Sequence, residues 1–251
     1  MEASIAKSVK DKKTNLHFRR FELKYHVPRA IADRIIPQMM NYMVWDDYTQ
    51  DDAGYDVHTL YMDSPGFKCY HEKLDGIMNR KKVRIRTYVR DYNDRTSMFL
   101  ELKRRSGEVI LKDRMIVKGA DFKDFMKDPF SLMKTEAYRG GFLNEFLWEH
   151  SVNTMKPVVL VSYKRKAFFS RFDSKFRVTF DYDISFAKPD GLKYNTNYEN
   201  FFDDLVVMEV KFNGAMPRWF HDIIEEYGLT KDTFSKYCSG IESMYGLPAY
   251  F

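Results

Sequence analysis

The chain has 251 residues, a hydrophobic fraction of 44% and a formal net charge of +5. That length and apolar content suit one domain with a full core, and the mild positive balance permits an anionic partner without demanding one. Cys69 and Cys238 have neither metal-ligand nor disulfide-framework spacing, and the longest apolar run, PVVLV, falls far short of the ~20 residues that span a bilayer.

Residues 1–14 read as a basic tail too polar for a secretion signal, and 15–251 as one domain without repeats or a Pro/Gly-rich linker. The composition predicts a cytoplasmic protein with no transmembrane segment of its own. His17 to Val27 is the first predicted strand, with Arg20, Glu22 and Lys24 on one face and Phe21, Leu23 and Tyr25 on the other. Pro28 opens a helix with Ile31, Ile35 and Met39 on one side, which Pro37 is expected to break or kink. Acidic residues 46–56 read as a loop, Val57 to Ser64 as a strand, and Phe67 to Leu74 as a short helix closed by Gly76. His58 and His71 read as packing or surface histidines.

Lys81 to Val117 holds three consecutive strands with the same unusual pattern. Arg84 and Arg86 alternate with Val83 and Ile85. Glu101, Lys103 and Arg105 alternate with Leu100 and Leu102. Lys112 and Arg114 follow, and which of them reaches inward stays open because a β-bulge can change the phase. Residues 121–150 read as helical, with Gly140 and Gly141 dividing two helices. Val158 to Ser170 places Tyr163 and Arg165 on one face. Phe176 to Ala187 sets Arg177, Thr179, Asp181 and Asp183 opposite Val178, Phe180 and Tyr182. Asp204 to Asn213 carries Glu209 and Lys211. Two helices finish the chain, one with Phe220, Ile223, Ile224 and Tyr227 at helical spacing, the other with Phe234, Tyr237, Cys238 and Ile241. Thr233, Ser235 and Lys236 open the second, where free backbone N–H groups favour an anion.

Two architectures fit these strands. One is a sheet with a solvated polar face, the ordinary antiparallel case. The other is a barrel with helices outside and charge inside. In the second, lumen cations outnumber the carboxylates, and like charges held in a confined space require a small, dense anion, for which a chain of phosphates is the obvious choice. A few acids among them suit a divalent metal shared with phosphate oxygens. The phosphate-loop, kinase and Ser/His/Asp signatures are absent. Nucleic acid is disfavoured because the basic residues would be sequestered.

RRFELKY, KVRIRTY, FLELKRR, SYKRKAF, RVTFD, MEVKF and FSKYCSG occur in this order over about residues 17–246. In that order they resemble the VTC domain of polyphosphate polymerases, in the triphosphate tunnel (CYTH-like) superfamily. The resemblance implies an α+β fold: an antiparallel eight-stranded triphosphate-tunnel barrel with flanking helices and a cationic lumen. It implies transfer of the terminal phosphoryl group of ATP onto inorganic polyphosphate, releasing ADP, with Mn²⁺ or Mg²⁺. It assigns Arg84, Arg86, Lys103, Arg165 and Lys211 to the reacting phosphates. Lys24, Lys112, Tyr163, Arg177, Ser235 and Lys236 are assigned to substrate binding, and Glu209 to the metal, with Glu22 and Glu101 as additional candidates. The ExExK signature of the broader superfamily is reduced here to Glu22-Leu23-Lys24. Thr233 stands where eukaryotic members carry a basic residue, a change expected to loosen polymer retention. The SPX and transmembrane regions of those members do not occur in these 251 residues, so the resemblance implies the stand-alone bacterial type, with a membrane protein as a conceivable partner. The competing readings are a tunnel (tri)phosphatase and a non-catalytic polyphosphate sensor.

Overall fold

Alternation of charged with β-branched and aromatic residues over 9 to 15 positions produces long strands here, and the segments between them carry the apolar stripes of helices. The computed structural model describes residues 20–49, 52–107, 109–190 and 197–248, apart from the side chain of Arg20. In chain order come strand β1 (Arg20–Pro28), helix α1 (Arg29–Met39), strands β2 (Met43–Trp45) and β3 (Tyr55–Asp63), and helix α2 (Lys68–Leu74). Strands β4 (Asn79–Thr87), β5 (Ser97–Ser106) and β6 (Val109–Lys118) form the central meander. Helix α3 (Gly119–Lys127), two 3-10 turns (Pro129–Lys134 and Glu136–Tyr138) and helix α4 (Gly141–Asn153) follow. The chain continues through β7 (Lys156–Ser170), β8 (Arg177–Ala187), β9 (Glu199–Asn200), β10 (Leu205–Asn213), helix α5 (Arg218–Glu226), β11 (Lys231–Asp232) and helix α6 (Lys236–Tyr245).

All pairings are antiparallel, in the order β11-β1-β10-β8-β7-β3-β4-β5-β6, with β2 added to β7 and β9 to β8. The eight expected long strands are present and three short ones join them. The order is a path that ends at β6 and β11, so among the described residues no strand pairing closes it into a ring. Side chains bridge the interior instead: Lys103 of β5 lies 3.7 Å from Glu22 of β1.

The aliphatic faces point outward into two helix-covered cores. Ile85, Leu100 and Leu102 share one with Phe122, Phe125 and Phe146 of α3 and α4 and Ile241 of α6. Val178, Phe180 and Met208 share the other with Ile35 and Met39 of α1 and Phe220 of α5. Helices thus lie outside and charge inside. No helix among the described residues is long and apolar enough to cross a membrane.

Several expectations are corrected. Helix α1 runs past Pro37 to Met39, because Pro37 falls in its last turn, where one lost backbone hydrogen bond is cheap. The 121–150 helical region is interrupted well before Gly140: Asp128 leaves helical geometry and Pro129 opens the first 3-10 turn, which the Asp128 side chain caps through Phe130 N–H. The strands at Met43–Trp45 and Lys231–Asp232 carry no sequence pattern of their own. The tail and the expected strand start at His17 lie outside the described residues.

Gly119 begins α3 directly against the β4–β5 connection, where a Cβ would sit 1.9 Å from the Asn93 carbonyl oxygen. Helix propensity alone favours alanine at such a site by about 1 kcal/mol. Gly119→Ala is nevertheless expected to destabilise the fold by about 2–3 kcal/mol, lowering the thermal midpoint by roughly 5–10 °C. An unchanged or raised midpoint in calorimetry would contradict this packing.

Candidate functional site

The curled sheet and the N-terminus of α6 enclose a cavity of about 440 Å³. Period two delivers its lining. From β4 come Lys82, Arg84 and Arg86; from β5 and β6, Lys103 and Lys112; from β1, Glu22 and Lys24. Strand β7 contributes Tyr163 and Arg165, β8 contributes Arg177 and Thr179, and β10 contributes Glu209 and Lys211. Ser235, Lys236 and Tyr237 close one side from α6. Ten lysines and arginines therefore face three carboxylates, Glu22, Asp46 and Glu209.

Two further carboxylates lie behind this lining, each 0% exposed. Glu101 accepts from Arg84 Nε at 2.6 Å and pairs with Lys112 Nζ at 2.5 Å. Asp181 takes Arg165 bidentately at 2.6 and 2.8 Å and Lys236 at 2.6 Å. Burial pushes the Glu101 carboxyl up, but Arg84, Arg86 and Lys112 outweigh it and hold it at about 2. Asp181 is also held below its ordinary value, because Arg165 and Lys236 overcome its burial. Tyr163 lies between two of these cations, its ring 5.2 Å from the Arg165 guanidinium and 5.0 Å from the Lys236 ammonium.

Other cations lack such partners. Arg86, 7% exposed, donates from Nε to Thr59 Oγ1 at 3.2 Å and has no carboxylate within ion-pairing distance among the described residues. Lys82 has none either; its ammonium lies 4.7 Å from the Tyr237 ring centre and donates to Ser235 Oγ at 3.4 Å. Burial, reinforced by Lys24 and Lys103, brings the Lys82 ammonium down to about 8. Burial and the fields of Arg84 and Arg86 bring Lys112 to about 8 in spite of Glu101. The same crowding lowers the Tyr61 phenol, where Arg84, Arg86 and Lys82 outweigh its burial.

Every residue assigned above to the reacting phosphates, to substrate binding or to the metal lines this cavity except Glu101. Glu22 faces the cavity between Lys24 and Lys103, at 3.9 and 3.7 Å. Glu101 does not line the cavity, since both its oxygens are turned to Arg84 and Lys112. Of the pair left open, Lys112 lines the cavity, whereas Arg114 lies 5.2 Å over the Phe99 ring. Asp183 is corrected: it faces outward to Arg29, because its left-handed backbone (φ 52°) ends the inward phase after Asp181. Sequence reasoning missed Lys82, although it stands two before Arg84 on the same face. It also missed Tyr55 and Tyr61 of β3, and Asp46, whose loop position gives no periodic signal.

Among the described residues no three His, Cys, Asp or Glu side chains converge on a metal-sized point. Glu209 pairs with Lys211 at 2.7 Å and lies 3.9 Å from Arg165. Burial raises its carboxyl, but Lys211, Lys24, Arg165 and Lys236 prevail and hold it well below the usual range. Directly across the β10–β8 ladder, the buried Thr179 hydroxyl has no hydrogen-bond partner among the described residues. This all-oxygen pair fits a hard cation that keeps water and substrate oxygens as its remaining ligands, as Mg²⁺ does.

The sequence pattern that defines the VTC domain matches residues 19–245. The chain belongs to the VTC domain family. It is similar to vacuolar transporter chaperone complex subunit 4 of Trypanosoma brucei brucei, with 27% identity over 91% of this chain and 35% of that protein. The subunit 4 of Trypanosoma cruzi is 26% identical over 91% of this chain and 34% of its own length. The chain therefore spans little more than a third of the relatives it matches. A solved candidate adenylate cyclase from Bacillus halodurans shares the fold of this VTC domain, with a TM-score of 0.52 at 12% identity, covering 86% of this chain and 95% of that one.

The two lysines near 8 give this VTC domain a defined pH response. Both are protonated below that value and neutral above it, so affinity for a phosphate anion is full below pH 8 and falls as pH rises through it. With ATP as a probe anion, whose own charge is nearly constant over this range, binding measured calorimetrically without metal is expected to weaken about tenfold between pH 7.5 and 9.5. Lys82→Met should flatten that slope. A flat wild-type profile would refute the assignment.

Proposed function

We propose that this VTC domain is an ATP-dependent polyphosphate polymerase. The observation that carries the reading is a confined cavity whose cations exceed its carboxylates and include Arg86 and Lys82, which have no carboxylate partner among the described residues. A phosphate chain supplies the missing charge at the right density. Family membership supports the same reading, and the sequestered position of the cations disfavours nucleic acid.

In the proposed reaction a terminal oxygen of polyphosphate attacks the γ-phosphorus of ATP. A new P–O bond forms, the bond to the β-bridging oxygen breaks, and ADP departs with that electron pair. The attacking oxygen is already ionised, so no general base is required. Arg84, Arg86, Lys103, Arg165 and Lys211 neutralise the charge spread over the transferring group and its leaving oxygens. Lys24, Lys112, Tyr163, Arg177, Ser235 and Lys236 hold the chain in line. Glu101 and Asp181 act through others: they hold Arg84, Lys112, Arg165 and Lys236 in place before substrate arrives. Glu209, with Thr179 opposite it, would hold Mg²⁺ or Mn²⁺, which when bound adds positive charge at the phosphate oxygens. The relatives are named as subunits of a chaperone complex, and a membrane-protein partner for this chain is part of the same proposal.

Incubation of the purified protein with ATP and Mn²⁺, followed by gel electrophoresis and phosphorus NMR, tests the reading. Long chains with internal-phosphate resonances plus ADP are expected, with turnover reduced at least about 100-fold in Arg84→Ala and Glu209→Ala at an unchanged fold. Orthophosphate without chains would establish a tunnel triphosphatase instead. Tight polyphosphate binding without turnover would make the domain a sensor.

A further inference from the structure

We propose that the cationic lumen continues beyond the cavity into a second phosphate-chain subsite, formed by Arg80, Arg105 and Lys73 at the mouth where β4 begins and β5 ends. It rests on the polyphosphate reading above and adds to it the place where chain beyond the reacting phosphates is held.

Strand register supplies the first observation. Arg80 stands directly across the ladder from Arg105, one step beyond the Lys82–Lys103 pair, and the β4–β5 register is unbroken from Asn79 to Arg86. Arg80, Lys82, Arg84 and Arg86 therefore share one face of β4, and Arg105 and Lys103 share the corresponding face of β5. Like charges placed directly opposite in an antiparallel pair destabilise it. Here two such pairs follow one another, Arg80 with Arg105 and Lys82 with Lys103.

Local partners do not relieve the crowding of the outer pair, Arg80 with Arg105. Arg80 Nη1 donates to the Ile77 carbonyl at 2.5 Å, and Arg105 Nε donates to the Gly107 carbonyl at 2.8 Å. Each guanidinium thus commits one of its five N–H donors. Among the described residues neither has a carboxylate within ion-pairing distance. Glu72, whose field reaches Arg80, pairs with Lys68 at 3.9 Å. Lys73, in the last turn of α2, completes the cluster. Its ammonium is disfavoured by burial and then by Arg80, Lys24 and Arg105. Lys82 and Lys103, the next inward pair of the same ladder, line the cavity, so the Arg80–Arg105 pair adjoins the lumen.

Length separates this subsite from the centre. Arg80 lies four residues from Arg84 and six from Arg86, about 13 and 20 Å along a strand at ~3.3 Å per residue. A triphosphate seated against Arg84 and Arg86 stays inside, whereas a longer chain reaches the Arg80–Arg105 pair. Two guanidiniums with free forks are suited to grip successive phosphates bidentately.

The test compares ligands by length. Binding of tripolyphosphate and of long-chain polyphosphate to the full 251-residue chain is measured for wild type, for Arg80→Gln/Arg105→Gln and for Lys73→Gln, with thermal midpoints as the folding control. The double variant should lose about tenfold in long-chain affinity, and its salt dependence should fall by roughly two counterions. Tripolyphosphate affinity should change less than about twofold. Lys73→Gln should move the same way by a smaller factor, which keeps the test open if the double variant folds poorly. Equal losses for both ligands, or no loss of long-chain affinity, would overturn the subsite. A protein that binds long chains in this manner but makes none would leave the subsite standing and overturn the polymerase reading.

Discussion

Two buried carboxylates, Glu101 and Asp181, are the constraint on which the charge distribution of this domain depends. Each joins cations from two separate elements: Glu101 ties β4 to β6, and Asp181 ties β7 to α6. Unit charges 4 Å apart interact by about 4 kcal/mol at an effective dielectric constant of ~20. Ten cations lining one cavity would therefore generate repulsion comparable to a domain's whole stability of about 5–15 kcal/mol. The buried pairs offset part of that and fix four of the basic side chains. The remainder of the positive charge is left for a ligand. Removing Asp181 would strand Arg165 and Lys236, and removing Glu101 would strand Arg84 beside the more exposed Lys112; a broken buried pair costs about 3–5 kcal/mol.

The arrangement inverts the usual small barrel, whose interior is filled by apolar side chains. With charge inside, the apolar faces of the strands must be covered from outside, and the helices do this in two separate cores. Helix α6 belongs to both worlds. Its first residues line the cavity, and the Ser235 side chain caps it by accepting from Cys238 N–H at 3.4 Å. Further along, Gly240 lets the helix approach β7 and β8 closely, since a Cβ there would lie 3.0 Å from Val159 and 3.1 Å from Phe186. The N-terminus of α6 is thus anchored directly in the hydrophobic core, which limits how far Lys236 can move.

Charge is graded along the lumen. Arg84, Arg165 and Lys236 are held by buried carboxylates, among the described residues Arg86 and Lys82 have none, and the row on β4 extends to Arg80. A polyanion with charge at every repeat suits such a row better than a compact single anion. The oxygen pair of Glu209 and Thr179 lies on the neighbouring strands β10 and β8. Positive charge therefore surrounds any chain in the cavity from several strands at once.

Strand phase was legible from residue order alone, because side chains alternate faces with period two. That placed Lys24, Arg84, Arg86, Lys103, Arg165 and Glu209 on one surface, and the ordered motifs carried the family. The same period contains Lys82, whose neighbour Lys81 turns outward to Glu145 at 3.4 Å and to Glu149. Periodicity says nothing of depth, so Glu101 and Asp181 looked like lining residues and proved to lie behind it. Nor does it survive a backbone change such as the left-handed Asp183. The contacts that complete the cavity were decided only by tertiary structure. Lys24 donates to the Phe234 carbonyl 210 residues away at 2.8 Å, and Asp46 reaches Arg177 from a loop at 3.4 Å. Local sequence determines which face a side chain takes, because that is a property of neighbouring dihedrals. Which faces meet is set by packing between residues remote in sequence, which leaves no local signature.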